Sequence, residues 1–497
     1  MTSMRPMIFI FLLAVATIPL AAKDYVVQSF GIKADGVTVN TASIQYAIDY
    51  ISDHGGGRLV FSVGTYKTGS IYLKSDVTLH LEKGATLMST TNPFDFVKDP
   101  DIRWMSMIFA KFQKNIGITG AGTIDGRGFE TANNMVQYIQ RGVFDDVLKY
   151  DRPSEVNRPQ NIHFYKCENV VIKEITLKDP ASWNQTYEQC VNVLVDGITV
   201  DSKSYWNNDG IDIVDCDGVV IRNSYFDAAD DVICFKSRDP EKICQNVVVE
   251  NCVGRSSANG LKFGTASWGG FRNFKITNLT IFDTYRSAIT FAAVDGGIVE
   301  NIVVDGVRSI NTGNVLYLRI GNRRGDDKDP VMKNITIRNV YAEVPLEKPD
   351  AGYNYEGPVE DLPRNILPAS IVGLPDHRIE NILLENIEIV YPGGGDPYYA
   401  RVGLCEDELL RIPEMPEKYP EFSQFKELPA WGFYLRHADR ITFRNVTLRA
   451  ESPDYRPAIV LDDVTDATFT HMEVEETGKF SLEDQIFQFR SENVSIE

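Results

Sequence analysis

From about residue 115 onward the chain repeats one phrase: a polar residue, most often Asn, opens a run of alternating apolar and polar positions, and a turn closes it. The phrase stands at Asn169-Val-Val-Ile, Asn192-Val-Leu-Val, Gly218-Val-Val-Ile, Asn246-Val-Val-Val, Asn273-Phe-Lys-Ile, Asn301-Ile-Val-Val, Asn334-Ile-Thr-Ile and Asn381-Ile-Leu-Leu. Its openings are 23, 26, 28, 27, 28, 33 and 47 residues apart. Alternation with a period of two puts the apolar side chains on one face of a strand. Short strands rich in Val, Ile and Thr cannot bury that face alone, whereas stacking them at a period of roughly 25 residues creates one continuous core. That period is one coil of a parallel β-helix, with neighbouring coils about 4.8 Å apart.

Near the N-terminus the period changes. Ile44, Ala47, Ile48 and Ile51 recur at helical spacing between Thr41 and the stop signal Gly55-Gly56-Gly57. They predict an amphipathic helix that caps the open end of the solenoid, where strand edges and apolar side chains would otherwise meet water. The expected architecture is all-β: a single parallel β-helix domain over residues 23–497 with an N-terminal capping helix. Segments that do not repeat, near 127–158, 345–368 and 392–430, are expected to leave one face as loops, where binding specificity usually resides.

Composition narrows the picture further. Arg5, the apolar run Met7 to Ala21 and the small pair Ala21-Ala22 ahead of Lys23-Asp24 have the form of a secretory signal peptide over residues 1–22. The run is shorter than a membrane span, so the expected mature protein is exported, periplasmic or extracellular, without stable membrane insertion. Fifty Lys and Arg against 69 Asp and Glu leave a net charge of −19, which opposes nucleic acid binding. Seven cysteines without a CxxC pair form neither a disulfide framework nor a zinc site, and most fit small buried positions in the strands.

One stretch departs from the chemistry of cores and turns: Asn207-Asn208-Asp209-Gly210-Ile211-Asp212, followed by Ala229-Asp230-Asp231-Val232. Asp209 and Asp230 are 21 residues apart, close to one coil, so Asp209, Asp230 and Asp231 would share a patch on neighbouring coils. Crowded carboxylates drive one pKa upward, which a glycosidase needs to keep an acid protonated beside an ionised base. Lys236, Lys262, Arg286, Arg319, Arg323 and Arg324 offer charged bonds to a sugar acid, and Trp183, Asn184, Tyr187, Tyr205 and Trp206 precede the Asp209 coil.

These residues carry a resemblance. The opening Phe30-Gly31-Ile32-Lys33-Ala34-Asp35-Gly36, the Gly55-Gly56-Gly57, Gly64-Thr65-Tyr66 and Gly84-Ala85 phrases, and the Asp209 and Asp230-Asp231 motifs match, in order, glycoside hydrolase family 28, the polygalacturonase family. The resemblance implies a secreted, right-handed parallel β-helix that hydrolyses a pectic polysaccharide, of galacturonan or rhamnogalacturonan type, with inversion and no metal or other cofactor. It further implies Asp230 as the acid that protonates the leaving oxygen, and Asp209 and Asp231 as the groups that activate water. The family's Asn-Thr-Asp motif falls on Asn207-Asn208-Asp209. Its Gly-His-Gly motif aligns with Ala258-Asn259-Gly260, so Asn259 replaces a histidine, and the cation pair of its Arg-Ile-Lys motif is missing near Arg286-Ser287-Ala288-Ile289-Thr290. Expected substrate-binding residues are therefore Asn207, Asn259, Lys262, Lys236, Arg286 and Arg319.

Two other readings compete. A β-helix lyase would use the aspartates as calcium ligands beside a cationic base, and a non-catalytic glycan-binding protein would use them only to grip hydroxyls. For a charged polymer, the acidic chain predicts weaker activity at low salt.

Overall fold

In a computed structural model, residues 23–102, 104–146, 152–325, 328–350, 352–354, 367–399, 403–476 and 481–497 are described; the expected signal peptide lies outside them. The strand pairings are parallel and join one coil to the next, from Asp24–Val26 on Gly57–Phe61 to Ile459–Glu475 on Ile486–Phe489. One inward column shows how the repeat builds the core. Ile116, Val170, Val193, Val219, Val247, Phe274, Ile302, Ile335, Ile382 and Ile441 lie in register on successive coils. All ten are buried. The buried cluster to which they belong runs from Val27 to Ile486, one continuous core along the axis.

Helix α1 (Thr41–Asp53) buries Ile44, Ala47, Ile48 and Ile51 against the first coils. It stops where Gly55 and Gly56 take positive φ, 92° and 84°; a Cβ on Gly56 would come within 2.6 Å of the Asp76 carbonyl oxygen. The residue that opens a repeat is Asn, or in one coil Gly218, because the corner needs a left-handed backbone: φ is 57° at Asn169, 75° at Gly218, 58° at Asn246 and 57° at Asn334. The amides stack. Asn169 donates to Asn115 at 2.9 Å, Asn273 to Asn246 at 3.2 Å, and Asn381 to Asn334 at 2.7 Å.

Two of the segments expected as loops hold helices. α2 (Gly128–Gln140) lies within 127–158 and buries Ala132, Met135 and Ile139; the short α3 (Glu406–Leu409) lies within 392–430. No two-residue alternation is needed there, because these segments pack on the outside of the solenoid. Most of 351–366 lies outside the described residues. Six of the seven cysteines are buried, and Cys405 is exposed.

Candidate active site

Four consecutive coils build the site through β1 (Ile211–Val214), β2 (Ile233–Ser237), β3 (Leu261–Ser267) and β4 (Gly270–Ala293). Ile213, Phe235, Phe263 and Phe291 point inward in register, with the rings of Phe235 and Phe263 4.9 Å apart and those of Phe263 and Phe291 4.6 Å apart. The alternate residues Asp212, Cys234, Lys262 and Thr290 form the next column, turned away from the core. Just before each strand the backbone stays laddered: Gly210 N–H donates to the Asp231 carbonyl at 2.9 Å, and Val232 N–H to the Asn259 carbonyl at 2.9 Å. This ladder stacks Asp209, Asp231 and Asn259, with Asp230 beside Asp231.

One carboxylate oxygen from each of Asp209, Asp230 and Asp231 falls within a 4.8 Å cluster. Asp209 and Asp231 are buried, and Asp230 is the most accessible of the three. Asp231 is gripped hardest. Its Oδ1 accepts from Asn259 Nδ2 at 2.8 Å and from the Asn259 backbone at 3.2 Å, and Lys262 Nζ lies 2.9 Å from Oδ2. Burial alone would raise its pKa, but Lys262, Lys236 and the Asn259 amide together hold it down to about 2. Asp230 is pushed the other way, by burial and then by the charge of Asp231. Asp209 is raised well above the carboxylate range by burial and by Asp212.

Lys236 stands between Asp212, which its Nζ contacts directly, and Asp209, 3.3 Å away, and lies 4.0 Å above the Trp183 ring. Burial pulls Asp212 up to about 6 against this lysine. A metal ion on either acidic group, Asp209-Asp230-Asp231 or Asp209-Asp212-Cys234, would have to displace ammonium groups that already answer these charges. Asn207 is held by two arginines, Arg152 at 2.8 Å and Arg158 at 2.7 Å, both donating to its Oδ1. That orientation leaves Asn207 Nδ2 to face Asp230, 3.5 Å away. The middle Asn208 is structural, bonded to Tyr205 N at 2.7 Å and to the Ser182 carbonyl at 2.7 Å.

The remaining expected residues divide. Lys262 also donates to Tyr419 Oη at 3.0 Å, and Arg286 Nε lies 2.8 Å from Glu421 Oε2. Arg319 does not join the cluster: its guanidinium binds the carbonyls of Gly373, Glu414 and Met415 and anchors the 403–431 segment. Arg323 pairs with Asp295, and Arg324 stacks over Trp268. Tyr187 is not a sugar platform either; it is fully buried in the core and its hydroxyl donates to Gln185. Asn184 is likewise buried and accepts from Asn161.

Sequence reasoning missed Asp212, Tyr419 and Glu421. Asp212 had a signal: within Ile211-Asp212-Ile213 the alternation turns it away from the core. Tyr419 lies 157 residues from its lysine and had none.

A sequence model of the glycosyl hydrolases family 28 matches residues 58–285, which hold the three aspartates, Asn259 and Lys262. Residues 58–285 are a glycoside hydrolase family 28 segment. The exo-poly-α-D-galacturonosidase of Dickeya chrysanthemi is 27% identical over 321 residues, 54% of this chain and 52% of the relative, so the chain spans about half that protein's length. The endo-polygalacturonase of Pectobacterium parmentieri is 23% identical over 67% of this chain and 85% of its own. Among solved structures, an exopolygalacturonase from Thermotoga maritima superposes with a TM-score of 0.60 at 23% identity, covering 74% of this chain and 87% of that one. The fold is thus the right-handed parallel β-helix of family 28. Arg286, Tyr419 and Glu421 lie outside the segment that matches the family model.

Proposed function

We propose that this family 28 protein is exported and hydrolyses glycosidic bonds in a pectic polysaccharide by acid and base catalysis. The observation that carries the reading is the divergence of two adjacent carboxyls: Asp231 is held ionised at neutral pH by Lys262 and Asn259, while Asp230, the more accessible, is pushed upward. A pair whose environments separate its pKa values is the pattern of a general acid beside a base or electrostatic partner. Asp230 protonates the leaving oxygen, and Asp231 with Asp209 orients the attacking water. The names of the relatives support pectic galacturonan as the polymer class, and the leader-like segment at residues 1–22 supports export.

Single displacement with inversion is the proposed course. The carboxylates lie closer together, within 4.8 Å, than the roughly 6.5–9.5 Å typical of inverting pairs, and nearer the roughly 5–5.5 Å of retaining ones. The reading of inversion therefore rests on family membership, and the anomer first released decides it. The test is incubation with homogalacturonan and de-branched rhamnogalacturonan, with and without chelator, following reducing ends, absorbance of unsaturated sugars and the first anomer by NMR. Saturated, inverted, chelator-insensitive products are expected. Unsaturated or chelator-sensitive products would replace the hydrolase with a lyase, and a retained anomer would replace inversion with a covalent intermediate.

A further inference from the structure

The cations around the three aspartates already have protein partners. Lys236 is held by Asp209 and Asp212, and Lys262 by Asp231 and Tyr419. Arg286 is paired with Glu421, the two side chains only 10% and 9% exposed. Arg286 N–H donates to the Ala258 carbonyl at 2.9 Å, and Ala258 lies level with Asp230 one coil earlier, so Arg286 stands in the acid's own column two coils on, along the face where a sugar at the scissile bond would lie. Glu421 reaches it from the 403–431 segment, alongside Tyr419, whose ring lies 5.9 Å from the Arg286 guanidinium. Three cations, Lys236, Lys262 and Arg286, thus face five carboxylates, Asp209, Asp212, Asp230, Asp231 and Glu421. A sugar carboxylate brought against Arg286 would have to displace Glu421 from a nearly dry ion pair. Hydroxyls meet no such penalty, because Tyr419 Oη and the Glu421 carboxylate can bond them.

From this we infer that the subsite bounded by Arg286, Tyr419 and Glu421 takes an uncharged sugar ring, and that Glu421 is the residue that turns away a free uronate. The inference rests on the hydrolase reading only for placing sugar at Asp230. The test is calorimetric binding of galacturonan oligomers and their methyl esters, which differ only in the carboxylate, to Asp230→Asn protein, with kcat/KM measured in parallel on the wild type. Because esterification alters every subsite, the quantity read is the ester-to-acid affinity ratio in the Glu421→Gln variant relative to its parent. That ratio is expected to fall at least tenfold when Arg286 is freed, while Glu421→Asp keeps the parent's ratio, with melting temperatures checking the fold. A ratio unchanged by Glu421→Gln, or binding of neither oligomer, overturns the inference. A ratio that falls in a protein that cuts neither polymer upholds the inference and refutes the hydrolase reading; cutting with an unchanged ratio does the reverse.

Discussion

The asparagine corners and the coils of the candidate site are built on the same stacked backbone, yet they use it in opposite ways. At a corner the same amide recurs coil after coil, each donating to the one before, as Asn301 does to Asn273 at 3.4 Å and Asn334 to Asn301 at 3.2 Å. An amide carries both donor and acceptor, so identical neighbours satisfy each other. Ionised carboxylates stacked this way repel, and where Asp209 does stack on Asp231, burial and the neighbouring carboxylates push Asp209 toward its protonated form. In the adjacent column the residue type changes from coil to coil: Asp212, Cys234, Lys262 and Thr290 stand in register. Repetition gives the solenoid its stability, and the break in repetition places opposite charges and separated pKa values within a few ångströms.

Substitutions should expose this contrast. The largest effect is expected from Asp230→Asn, which removes the proposed acid: kcat should fall roughly 10²- to 10⁴-fold in reducing-end assays, while ligand binding persists. An unchanged rate would move the acid to another carboxyl. Lys262→Met leaves buried Asp231 without its ammonium partner and should cost about 3 kcal/mol in urea unfolding. The sign of the accompanying pH effect follows from the depressed pKa. Asp231 contributes its full stability above the ordinary carboxylate range near 4 and loses it as pH falls toward about 2. Lys262→Met should therefore shift the acid limb of the rate profile upward. Asp230 acts with the opposite sign: its raised pKa makes the alkaline limb the pH at which the proton donor is lost.

At the corner the same experiments should read differently. Asn334→Ala removes two ladder bonds, to Asn301 and from Asn381, at a left-handed position, and should cost about 1–2 kcal/mol in stability with kcat unaltered. A loss of kcat would mean that the corners and the site are coupled. The smallest effect sharpens the comparison. The second corner carries Asn251, Asn278, Gly306, Asn339 and Asn386, so Gly306 interrupts its amide stack. Gly306 has φ 82°, and a Cβ there would have no contact closer than 3.5 Å. Gly306→Asn should close the gap and raise stability by about 0.5 kcal/mol in thermal or urea unfolding; destabilisation would show that an intact ladder is not what holds the corner.

Much of this was legible in the chain. The recurrence of Asn before Val-Val-Ile-like runs carries both the coil period and the left-handed corner, since each is a local property of a few residues. Asp209, Asp230 and Asp231 could be placed together because coil length converts a separation of 21 residues into adjacency. Arg319 misled, because its position on a later coil says nothing of which way a long side chain turns; the carbonyls at Glu414 and Met415 claim it. Segments outside the period are legible only as interruptions, so nothing in the repeat marks Gly128–Gln140 as a helix rather than a loop.

The sequence by itself determined the solenoid, its capped end and the carboxylate patch, because repeat length and side-chain alternation act over one or two coils. Only the tertiary structure decided the charge states and the neighbours of that patch. Asp231 is ionised because Lys262 and Asn259 converge on it in a buried space, and Arg286 is neutralised by a glutamate 135 residues further along the chain. Such pairings depend on how an insertion folds back across the coils, and no periodicity along the chain records that.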